Sequence, residues 1–239
     1  MTLKNCATQF KNCSPTSVNT PDPAGFTLVY EDDALLVLEK PAGLLSVPGR
    51  GDDKQDCLSA RVQKRYSNAS IVHRLDMGTS GLMLMARNAA VQRILNDAFA
   101  SRAVFKRYEA VVDGLLAVPA DQDSGCWHDI NLPIALDWPN RPRRVIDTTL
   151  GKPSVTRWQV MSVDRTANTS RLRLEPLTGR SHQLRVHLMA IGHPILGDAL
   201  YAPPIAAAAS ARLQLHATEL ALPHPVSLQP MRWVCPAPF

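Results

Sequence analysis

The run His73-Arg74-Leu75-Asp76-Met77-Gly78-Thr79-Ser80-Gly81 leads without interruption into the apolar stretch Leu82-Met83-Leu84-Met85-Ala86. A turn of Gly, Thr and Ser does not pack as core, so the chain must change direction there and then enter a buried strand. Polar side chains beside such a turn either decorate the surface or form a site held at the strand's mouth. Here they include one guanidinium, Arg74, and one carboxylate, Asp76.

The flanking sequence reads mostly as strands. Thr27–Tyr30 and Ala34–Lys40 are expected as two strands around the acidic turn Glu31-Asp32-Asp33, the second ending at Pro41-Ala42-Gly43. Helical spacing of Val91, Ile94, Leu95 and Ala98 predicts a helix over 89–100 packed on a sheet. Residues 106–114 then alternate, with Tyr108, Ala110 and Val112 on one face and Arg107, Glu109 and Val111 on the other. Pro133, Pro139, Pro142 and Pro153 predict a loop over 121–153, apart from a short apolar piece around Ile134. Strands resume at 154–163 and 171–175, and Pro176-Leu177-Thr178-Gly179-Arg180 forms a second glycine turn. Ser181 is the expected N-cap of a helix over 182–191 with the stripe Leu184, Leu188 and Ile191. An alanine-rich surface segment over 203–211 precedes a last strand at 213–221.

Strands dominate and no βαβα rhythm appears, which predicts an α+β fold. A chain of 239 residues with 45% apolar content can bury one large core, expected over 26–239 behind a loose polar tail at 1–25 that is too short for an accessory domain. The sequence has no apolar run of about 18 residues and its start lacks signal-peptide order, so a cytoplasmic protein without a membrane partner is expected. Cys6, Cys13, Cys57, Cys126 and Cys235 are odd in number and hold no C-x-x-C pair. His182, His187 and His193 crowd together without a Cys or acidic partner at ligand spacing, so no metal site is expected.

The net charge of +5 favours a polyanionic partner. Arg141, Arg143 and Arg144 fall in one loop, and Arg171, Arg173, Arg180 and Arg185 cluster later, as a phosphate track would require. Asp76 is either a nucleophile or general base, or a turn aspartate bonding nearby N–H groups. Arg180 is either its partner or an exposed phosphate contact. Tyr108 either meets a planar ligand or fills the core. Arg74 either lies along the same ligand or forms a surface ion pair. Trp138 beside three arginines is either an RNA-contacting finger or a solvated loop. A non-catalytic RNA-binding module would explain the basic clusters but neither Asp76 nor Tyr108. A metal-dependent hydrolase would need several carboxylates.

Assembled in order, these segments resemble the RluA-type pseudouridine synthases. Glu39-Lys40-Pro41-Ala42-Gly43-Leu44-Leu45 is similar to the family's first motif, and His73-Arg74-Leu75-Asp76 with Thr79-Ser80-Gly81 to its catalytic motif. Lys106-Arg107-Tyr108-Glu109-Ala110 resembles its tyrosine strand. Gly179-Arg180-Ser181-His182-Gln183-Leu184-Arg185-Val186-His187 and Gly192-His193-Pro194-Ile195-Leu196-Gly197-Asp198 resemble its third motif. The resemblance implies a large mixed, mostly antiparallel sheet crossed by a cleft, no cofactor, and isomerisation of uridine to pseudouridine. It implies Asp76 as nucleophile, at C6 or C1′, with Tyr108 on the base, Arg180 holding the carboxylate and Arg74 filling the stack left by a flipped uridine. Arg74, His73, Trp138 and Arg141 are expected to contact RNA. Arg143, Arg144, Gln183 and Arg185 complete that expected set. Leu45-Ser46-Val47-Pro48-Gly49-Arg50 and Asp137-Trp138-Pro139-Asn140-Arg141-Pro142, with no S4 domain expected, resemble the RluA branch, implying a monomer acting on 23S rRNA, on the anticodon stem-loop of tRNA, or on one of these alone.

Overall fold

The computed structural model describes residues 20–116 and 126–239. Cys6, Cys13 and the first nineteen positions of the expected tail lie outside the described residues. The fold is α+β, and its described residues group into two compact units: residues 20–106 with 217–238, and residues 107–216 with Phe239.

In the first unit, β1 (Thr20–Asp22), β2 (Phe26–Glu31), β3 (Leu35–Lys40) and β5 (Ser80–Ala86) pair antiparallel in that order, and β4 (Ser70–Ile71) also pairs with β5. The tail expected to reach residue 25 therefore already contains a strand. β3 and β5 are buried on both faces because successive side chains point oppositely and both sets are apolar. Leu35, Val37, Leu82 and Leu84 enter one cluster, while Leu36, Leu38, Met83 and Met85 enter another.

Helices cover the two faces. Val91 and Leu95 of α2 (Ala89–Ala100) close the first cluster, and Leu58 and Val62 of α1 (Leu58–Gln63) close the second. Asn88 caps α2 by accepting the Val91 N–H at 2.9 Å, while Ile94, expected inward, sits at the edge of the stripe and is 46% exposed. β12 (Leu215–Pro223) pairs with β13 (Pro230–Val234), a strand not foreseen from the pattern.

In the second unit, β6 (Phe105–Asp113), β11 (Thr169–Pro176), β10 (Val155–Asp164) and β7 (His128–Asn131) pair antiparallel in that order, β6 entering it at Arg107. The expected loop over 121–153 needs correction, since its described part holds β7 and a separate hairpin of β8 (Ile134–Leu136) and β9 (Arg144–Ile146). Its prolines stand between strands rather than inside them: Pro133 separates β7 from β8, and Pro139 and Pro142 lie in the hairpin turn. Two helices complete the unit, α3 (Gln183–Ala190) and α4 (Pro204–Ala208). The alanine-rich segment is thus a short helix that buries Ala206. Among the described residues, no helix is long and apolar enough to cross a membrane.

Candidate active site

Asp76 is half-buried on a tight turn closed by the Thr79 N–H donating to the Asp76 carbonyl at 3.1 Å. The backbone on either side of it is pinned. On one side, Ser46, almost fully buried, donates its hydroxyl to the Leu75 carbonyl at 2.7 Å and accepts the Leu75 N–H at 3.0 Å. On the other, the Met77 carbonyl accepts from Lys40 Nζ at 3.1 Å and from the Gly43 N–H at 2.8 Å. The Lys40 side chain is fully buried at the end of β3, and its ammonium also donates to the carbonyls of Pro41 at 2.8 Å and Leu44 at 2.7 Å. These bonds connect the turn to the strand end preceding it, so the carboxylate sits on backbone of fixed direction. Sequence reasoning missed Lys40 and Ser46 as supports; a lysine ending an otherwise apolar strand was the available signal.

Arg74 is exposed beside this turn. His73, expected to contact RNA, is instead part of the fold. Its Nε2 accepts the Leu84 N–H of β5 at 2.8 Å, and its ring stacks on Phe99 with centroids 4.5 Å apart. Burial, reinforced by the Lys106 charge, pushes its pKa down to about 3, so the ring stays neutral and keeps its acceptor. In the same unit, burial and the neighbouring Glu39 carboxylate push the Cys235 thiol up to about 12, which leaves it protonated at neutral pH.

Tyr108 lies on β6 in the second unit, opposite Leu174 in register and half-buried against the cluster of Ala110, Val112, Leu172 and Leu174. The other face of the strand carries ion pairs: Arg107 to Glu175 at 2.6 Å and Arg171 to Glu109 at 3.1 Å. The alternation expected for this strand is therefore realised.

Arg180 is exposed in the second glycine turn. Its N–H donates to Gln183 Oε1 at 3.0 Å, and its carbonyl accepts the Gln183 N–H at 3.1 Å. Gln183, expected to contact RNA, is committed inside the unit: Oε1 also accepts from the Thr178 hydroxyl, and Nε2 donates to the Val155 carbonyl and Thr156 Oγ1. With both side-chain donors and the carbonyl used, it is a scaffold for the turn. Arg185, likewise expected at the RNA, is buried and makes two 2.7 Å bonds to Asp198. It is unavailable to RNA because breaking that pair would leave Asp198 charged and buried. Arg173 donates to Gln159, so the later basic cluster is largely turned to internal bonds and leaves Arg180 as its exposed cation.

The expected RNA finger is the turn of the β8–β9 hairpin. Trp138 is 66% exposed and Arg141 lies over its ring at 4.8 Å. Arg143 donates to the Leu200 carbonyl, and Arg144 is half-buried with its Nε out of solvent. Trp138, Arg141 and Arg143 are exposed, and the Trp138–Arg141 pair offers a stacking plane with a cation on it.

Residues 34–190 match the family model described as "RNA pseudouridylate synthase". A dual-specificity RNA pseudouridine synthase RluA of Yersinia pestis is 47% identical over 212 residues, 89% of this chain and 99% of the relative. Its counterpart from Pasteurella multocida is 44% identical over 223 residues, 93% of this chain and 98% of the relative. Among solved structures, human RNA Pseudouridylate Synthase Domain Containing 1 superposes with a TM-score of 0.71 at 28% identity, covering 95% of this chain and 87% of that one.

Proposed function

Because the chain belongs to the RNA pseudouridylate synthase family, we propose that Asp76 is its nucleophile, Tyr108 meets the target base, Arg180 supplies the counter-charge and Arg74 occupies the stack that the uridine vacates. The protein is an RNA pseudouridine synthase, an isomerase. The reaction breaks the N1–C1′ bond, turns the base and joins C5 to C1′, without change of oxidation state. A carboxylate can serve by adding to C6 or by meeting C1′ as the bond breaks, and either route requires the ionised form. An arginine beside it favours that form, and does so more strongly once RNA has excluded water. The observation that carries this reading is the double clamp around Asp76, which holds one carboxylate rigidly on an otherwise glycine-rich turn.

The target uridine must leave its stack, at a cost of a few kcal/mol that is smallest in a loop. The substrates are accordingly loop uridines of 23S rRNA and of the tRNA anticodon stem-loop, in keeping with the dual specificity named for the relatives. The enzyme works as a cytoplasmic monomer, with residues 26–239 as its catalytic part. Pseudouridine mapping of total RNA from cells with and without the protein tests this: sites in both RNA classes should depend on it. Dependence confined to one class would identify a single-substrate enzyme, and unchanged maps would overturn the proposal.

The hairpin offers a second measurement. Arg141→Ala should weaken RNA binding at low salt and reduce the slope of log affinity against log salt by about one. An unchanged slope would remove this arginine from the interface.

A further inference from the structure

His182, between the Arg180 turn and α3, has φ 57°, a left-handed backbone that non-glycine residues adopt at a cost. It is the N-cap of α3 but its side chain makes no capping bond there. The imidazole turns elsewhere: Nδ1 lies 2.6 Å from the Tyr201 hydroxyl, with the two rings edge to face. That hydroxyl also accepts the Arg144 N–H of β9 at 2.8 Å. Tyr201 is itself fixed, since its N–H donates to Asp198 Oδ1 at 3.2 Å and its ring lies against the Arg185 guanidinium that Asp198 holds. The turn carrying Arg180 is thus held from one side by Gln183 and, through His182, from the other by a phenol anchored to a buried ion pair.

Residues held in the left-handed region by their surroundings cluster at functional sites, and His182 is one beside Arg180. We propose that His182 and Tyr201 are positioning residues for the isomerisation: their hydrogen bond maintains the left-handed step that sets the direction of the turn carrying Arg180. The inference rests on the reading that Arg180 is the counter-charge. In the tautomer with its proton on Nε2, His182 accepts the phenolic proton at Nδ1 while the Tyr201 oxygen accepts from Arg144.

Three variants separate this role from simple relief or creation of strain. Tyr201→Phe removes one oxygen; His182→Gly keeps the left-handed backbone without an acceptor; His182→Asn tolerates that backbone and returns an oxygen near the Nδ1 position. Kinetics on a stem-loop RNA, with thermal unfolding followed in parallel, should show kcat about tenfold lower for Tyr201→Phe and His182→Gly with KM within about twofold of wild type. His182→Asn should recover to within about threefold of wild-type kcat. Folded Tyr201→Phe or His182→Gly with wild-type kcat, a loss confined to KM, or His182→Asn no better than His182→Gly would each overturn the proposal. Should Tyr201→Phe fail to fold, the two His182 variants decide. Wild-type protein and Asp76→Asn run alongside: a wild type that forms no pseudouridine overturns the functional reading and this inference with it. An active wild type with unaffected variants overturns this inference alone.

Discussion

Asp76→Asn is expected to abolish pseudouridine formation, lowering the single-turnover rate by at least about 10⁴-fold, while RNA affinity stays within a few-fold of wild type. The substitution is nearly isosteric. The clamps around the turn act on the main chain of Leu75 and Met77, so they survive it. What is lost is the negative charge and the oxygen nucleophile, since an amide neither attacks C6 or C1′ effectively nor stabilises positive charge there. Pseudouridine detection after a single turnover, with filter binding in parallel, separates chemistry from binding. A rate within about tenfold of wild type would remove Asp76 from the chemistry. Equal loss of binding would indicate that the turn had collapsed, which the thermal unfolding temperature would register.

Gly81→Ala should produce a large loss of stability for a single-methyl change. Gly81 has φ 106°, and a Cβ built there would lie 2.3 Å from the Ala217 carbonyl oxygen and 2.6 Å from its nitrogen. Both contacts are backbone, so no rotamer change relieves them, and backbone strain adds to the overlap. Together these cost about 4 kcal/mol, or about 8–16 °C in Tm for a chain of this size. Gly43 provides the comparison: its φ is similar, 83°, but a Cβ there would meet nothing within 4 Å. Gly43→Ala should therefore show the conformational cost alone, about 1 kcal/mol. Equal Tm values for the two alanine variants would contradict this division.

Local pattern revealed much of the fold because strands buried on one or both faces announce themselves by alternation or by unbroken apolar runs. β3, β5, β6 and α2 fall where the spacing of Leu35–Leu38, Leu82–Met85, Tyr108–Val112 and Val91–Ala98 puts them. What escaped were elements whose burial depends on distant partners: the β8–β9 hairpin among prolines, the short α1 and the edge strand β13. Ser181 was expected to cap α3 by composition, but His182 holds the cap position in a left-handed backbone and its imidazole bonds Tyr201 instead of the helix.

At the site, residue type announced candidates but not their commitments. Gln183 and Arg185 look like RNA ligands in a basic motif, yet Val155 and Thr156 on β10 claim the first and Asp198, beyond α3, claims the second. His73 stands one residue before Arg74 and still faces inward, because β5 needs its nitrogen. Such partnerships are set by tertiary proximity, which spacing along the chain does not encode.

The Lys40 ammonium ends on three main-chain carbonyls, those of Pro41, Leu44 and Met77. Carbonyls are common to every residue, so positions 44 and 77 can vary without disturbing this arrangement, and Met77, 54% exposed, is well placed to do so. The arrangement around the Asp76 turn therefore depends on the lysine at position 40 more than on the side chains of the residues whose carbonyls it meets.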